Sequence, residues 1–61
     1  MYITILKDGD YYWLTCKNPI FREAWGDGVK TTANMLYTNM QELATWVNNQ
    51  LGQSCLFEIA D

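Results

Sequence analysis

The sequence predicts an α+β domain: a small, mostly antiparallel sheet in ββ(β)αβ order, with one amphipathic helix packed on one face. Three observations carry that expectation. Two strand-like runs flank an Asp8-Gly9 pair, one long stretch has helical periodicity, and the last residues return to simple alternation. At 61 residues the chain has room for one domain spanning 1–61. So short a chain buries only about 60 % of the surface its unfolded form exposes, which leaves little core for a deep active-site cleft.

Tyr2-Ile3-Thr4-Ile5-Leu6-Lys7 and Tyr11-Tyr12-Trp13-Leu14-Thr15-Cys16-Lys17 are rich in β-branched and aromatic residues. The Asp-Gly pair between them tolerates the positive φ of a tight turn, which predicts a hairpin. With Asp8-Gly9 as the loop, Lys7 pairs with Asp10, Leu6 with Tyr11, Ile5 with Tyr12 and Thr4 with Trp13. A register shift of two residues leaves the faces unchanged; a shift of one inverts them.

Asn18 is a good N-cap, Pro19 suits a first helical position, and Gly26 is a stop. Residues 20–25 therefore read as one or two helical turns, or equally as a short irregular or extended segment. Val29 to Tyr37 alternates like a third strand ending near Tyr37, although Ala33, Leu36, Tyr37 and Met40 also fit a helical period. Thr38 with Gln41 and Asn39 with Glu42 each offer a capping box. A helix is thus expected from about Asn39 to Leu51, its apolar stripe formed by Met40, Leu43, Ala44, Val47 and Leu51. Gly52 closes it. Ser54 to Ala60 reads as the last strand, with Cys55, Phe57 and Ile59 on one side and Leu56, Glu58 and Ala60 on the other. The hairpin followed by Leu36-Tyr37-Thr38 and Gln41-Glu42-Leu43-Ala44 resembles the layout of many small bacterial and phage proteins. That motif is short, and no functional residue is carried over from it.

The composition argues about chemistry mainly by what it lacks. The net charge is −3 and only Lys7, Lys17, Arg22 and Lys30 are basic. Binding along a phosphate backbone is driven by Lys and Arg, so the composition argues against nucleic acid as a partner. The absence of histidine removes the commonest general base and the commonest zinc ligand. Cys16 and Cys55 stand far apart without a Cys-x-x-Cys, which reads as two buried thiols acting as small hydrophobes. Asp8-Gly9-Asp10 and Gly26-Asp27-Gly28 read as turns rather than calcium loops. No catalytic, cofactor or metal site is expected, and no enzyme. No secretory leader or membrane span is evident, so a cytoplasmic protein with no membrane role is expected.

One feature of the hairpin points toward function. Ile3, Ile5, Tyr12, Leu14 and Cys16 share one face, the natural partner of the helix stripe. Tyr2, Thr4, Leu6, Tyr11, Trp13 and Thr15 share the other. Antiparallel strands with one wet face are ordinarily polar on that side, and here it carries two Tyr, a Leu and a Trp. Such patches mark interfaces, and interfaces favour Tyr and Trp. Tyr2, Leu6, Tyr11 and Trp13 are therefore the candidate partner-binding residues of a small protein-binding or regulatory module, with a phage or mobile-element origin in keeping with the layout. The alternatives are a structural homodimer formed through that face and a weak binder of single-stranded nucleic acid that stacks bases on it. A further alternative is structural: Ile20, Phe21 and Trp25 fold back over the face and complete a core.

Overall fold

The computed structural model describes residues 1–60 and has the order β1 (Tyr2–Asp8), β2 (Tyr11–Thr15), α1 (Pro19–Trp25), β3 (Val29–Thr32), α2 (Leu36–Leu51) and β4 (Leu56–Ala60). The expected α+β class holds. The strands form one sheet in the order β3-β2-β1-β4. β1 and β2 are antiparallel, as are β2 and β3, whereas β4 runs parallel to β1. The sheet is thus mixed, and two helices rather than one lie against it.

The hairpin forms with its pairing slid by two residues from the expected register. Asp8 pairs with Tyr11, Leu6 with Trp13 and Ile5 with Leu14, leaving Gly9-Asp10 as the loop. Gly9 has φ 61°, and among the described residues no non-glycine residue has positive φ. That is the pattern of a II′ turn, which wants glycine at its first central position. Because the slip is two residues, every side chain keeps its expected face.

α1 takes the helical alternative for its segment. The Asn18 side chain accepts from the Ile20 N–H at 2.9 Å, Pro19 opens the helix, and the Gly26 N–H donates to the Arg22 carbonyl at 2.8 Å. β3 is shorter than its alternation suggests, and α2 starts at Leu36 instead of Asn39. Neither expected capping box forms. Met35 occupies the N-cap without a side-chain hydrogen bond, and Asn39 is already inside the helix, where its Nδ2 donates to Thr31 Oγ1 at 2.6 Å. That bond ties α2 to β3 and satisfies a buried hydroxyl, so Asn39 serves tertiary structure and leaves no cap to make. Gly52 closes α2 in the left-handed conformation, with φ 62°.

The core is Ile3, Ile5, Leu14, Cys16, Phe21, Leu43 and Val47. The inner face of the sheet meets the α2 stripe, on which Leu36, Met40 and Leu51 are half-buried and Leu43 and Val47 buried. Phe21 enters this core from α1, edge-on to Trp46 at 6.4 Å, and Trp25 meets the same indole at 5.8 Å. Both helices therefore cover one side of the sheet. Cys55 is half-buried rather than buried, and burial pushes its thiol above the ordinary value, the amino terminus opposing and Cys16 reinforcing that shift.

Candidate functional site on the outer face of the sheet

With Phe21 and Trp25 committed to the α2 side, the opposite face of the sheet has no helix over it. Its side chains follow from the pairing. One row across the strands is Lys30, Trp13, Leu6 and Ala60; the next is Thr15, Thr4 and Glu58; beyond it Tyr2 stands beside Leu56. At the hairpin end Thr32, Tyr11 and Asp8 make the last row. Tyr2 is 63 % exposed, Leu6 40 %, Tyr11 44 % and Leu56 51 %. The apolar and aromatic groups gather in two clusters, Tyr11, Trp13 and Leu6 toward the hairpin and Tyr2 with Leu56 toward the other end, on either side of the Thr15, Thr4 and Glu58 row.

Trp13 is half-buried, and its surroundings explain why. The indole Nε1 donates to Asp8 Oδ2 at 3.3 Å. Gly28 packs against its other side, so closely that a Cβ there would stand 3.4 Å from Trp13 Cε3 and 2.9 Å from the Leu14 carbonyl oxygen. The Lys30 ammonium lies over the Tyr11 ring at 4.3 Å from its centroid and 5.8 Å from that of Trp13. A cation over two aromatic faces is held by the ring quadrupoles. The aromatic ridge is thereby fixed in place by an acid, a glycine and a lysine.

All four residues expected to bind a partner, Tyr2, Leu6, Tyr11 and Trp13, thus share this face. Lys30, Leu56 and Glu58 complete it. The alternation of Leu56, Glu58 and Ala60 against Cys55, Phe57 and Ile59 held the signal for the last two, once the core side of β4 is known. A groove of about 500 Å³ borders the face where Tyr2, Thr4 and Glu58 approach Lys17 and Asn18. A second opening, about 560 Å³, lies on the helix side between Leu36 and the ends of β1 and β4, beside Ile5, Tyr12 and Ile59.

No family model, curated protein or solved structure matches this chain. The face must be read from its own chemistry. Among the described residues there is no group of three or more His, Cys, Asp or Glu side chains placed to hold a metal. No described helix is long and apolar enough to cross a membrane.

Proposed function

We propose that this chain is a small non-enzymatic protein-binding or regulatory module, acting in the cytoplasm, whose working surface is the outer sheet face built on Tyr2, Leu6, Tyr11 and Trp13. One observation carries the reading: a sheet covered by both helices on one side presents exposed aromatic and apolar side chains on the other. Binding energy at protein interfaces concentrates in Trp and Tyr side chains surrounded by residues that exclude water. Trp13 is suited to such a central position, since its polar edge is already satisfied by Asp8 and its orientation is fixed by Gly28. Rigid aromatics lose little conformational freedom on binding, which favours the association.

The test compares capture of proteins from the native host's lysate by the tagged wild-type chain and by a Tyr11→Ser/Trp13→Ser variant. The reading expects a protein retained only by the wild type, whose purified form binds the wild type directly and the variant at least tenfold more weakly. Equal retention by a folded variant would remove this face from the function.

A further inference from the structure

We infer that the outer face pairs with the same face of a second copy of this chain, through a two-fold axis running along the strand direction. The inference rests on the preceding reading of the face as a protein-binding surface, and names its occupant. What selects a second copy is the distribution of charge. Lys30 lies on β3, and Lys17, just past the end of β2, reaches the groove that Tyr2 and Glu58 line. Asp8 is on β1 and Glu58 on β4. With the strand order β3-β2-β1-β4, the cation Lys30 stands on one edge strand of the face and the anion Glu58 on the other. Neither Lys30 nor Glu58 has an ion-pair partner among the described residues, where the single salt bridge joins Arg22 to Asp27.

A two-fold rotation along the strands exchanges these edges. It stacks β3 of one copy on β4 of the other and leaves positions along the strand unchanged. Each row of side chains therefore meets itself in reverse. Lys30, Trp13, Leu6 and Ala60 lie over Ala60, Leu6, Trp13 and Lys30 of the second copy. Trp13 then covers the second copy's Leu6, an apolar match made twice. Glu58 of the second copy stands two residues along the strand from the position opposite Lys30, roughly 7 Å away and within reach of two long side chains. Aligned packing of this kind is the usual arrangement of two stacked sheets. An axis perpendicular to the strands instead stacks β3 on β3, which sets cation against cation and carries a penalty. The face is small: four strands of about five residues project to roughly 300 Å², below the footprint of tight complexes. The dimer is accordingly weak, forming in the micromolar to millimolar range.

The experiment is sedimentation equilibrium of the full chain across that concentration range, with each variant's fold checked by near-ultraviolet circular dichroism. The wild type is expected to pass from monomer to dimer. Lys30→Glu and Glu58→Lys should each weaken the dimer by roughly tenfold, because every substitution occurs twice in a two-fold interface. The combined Lys30→Glu/Glu58→Lys exchange should restore it to within about twofold of wild type. A chain monomeric at every concentration overturns the inference, as does a dimer indifferent to both single changes or a double exchange that restores nothing. If the chain stays monomeric but still binds another protein in a Trp13-dependent way, the binding reading stands and the self-pairing alone falls.

Discussion

Lys30 holds its ammonium 4.3 Å above the Tyr11 ring, on the neighbouring strand and two residues out of register with it. Lys30 pairs with Trp13, so the long side chain leans along the strand to reach Tyr11. The contact orders a cation on an aromatic surface without neutralising it. An exposed cation–π pair contributes about 0.5–1 kcal/mol. Lys30→Met keeps the aliphatic stem and removes the charge, so it should lower unfolding free energy by no more than about 1 kcal/mol. Urea denaturation followed by tryptophan fluorescence measures this; a loss well above that figure would mean that Lys30 does more than sit on the rings.

Gly28 is the position where the backbone leaves no alternative. Its φ of 149° disfavours any L side chain, and an added Cβ would stand 2.9 Å from a carbonyl oxygen. Gly28→Ala should cost about 2–3 kcal/mol, combining strained backbone with forced displacement of β2. Gly52→Ala offers the comparison, since its Cβ meets open space and only the positive φ opposes it; about 1 kcal/mol is expected. Equal losses at the two sites in chemical denaturation would contradict the close approach of Gly28 to the Trp13 side of the sheet.

Phe21 decides whether α1 belongs to the core. It is fully buried, and truncating a buried Phe costs about 3–5 kcal/mol. In a domain this small that approaches the whole margin of stability. Phe21→Ala should therefore leave the chain largely unfolded at room temperature by circular dichroism. Ile20→Ser, one residue away but half exposed, should change stability by less than about 1 kcal/mol. A folded Phe21→Ala protein would detach α1 from the packing described above.

The two thiols differ in environment, and their chemistry should follow. β1 lies between β2 and β4, so Cys16 and Cys55 are separated by about two strand spacings, near 10 Å. A disulfide needs Cα atoms within about 7 Å, and mild oxidation should therefore leave no Cys16–Cys55 bridge by intact mass. Burial raises the Cys55 thiol above its ordinary value of 9.0, favouring the neutral form in the folded state. The folded chain then holds its proton longer than the unfolded chain does. The associated stability is complete below pH 9.0 and declines as pH rises from there through the higher folded value. Cys55→Ala should flatten that alkaline decline, and a decline of unchanged slope would remove Cys55 as its cause.

The hairpin and the outer face were readable in the residues because both depend on local rules. Asp8-Gly9-Asp10 dictates a reversal, and period-two alternation fixes which side chains share a side, even with the pairing slid by two. The start of α2 was not readable. Thr38 and Asn39 have the chemistry of caps, but Asn39 is claimed by Thr31 across space, and Met35 caps with nothing but backbone. The place of β4 was equally hidden, since alternation assigns faces and says nothing about neighbours. The course of α1 lay between these cases: Asn18, Pro19 and Gly26 mark its ends, whereas only the fit of Phe21 between the sheet and α2 decides which side it takes.

The pairing of β1 with β4 also sets a schedule for the molecule's birth. Tyr2 emerges from the ribosome well before Leu56, its partner on β4. Until then the nascent chain can complete the hairpin but holds β1 with an open edge. Ile3 and Ile5 meanwhile wait for the Leu43 and Val47 stripe. The Leu56 N–H then closes onto the Met1 carbonyl at 2.8 Å, where β4 meets β1. Synthesis therefore passes through a stage in which an unpaired apolar strand is displayed to the cell, and the delay before β4 follows governs how long that exposure lasts.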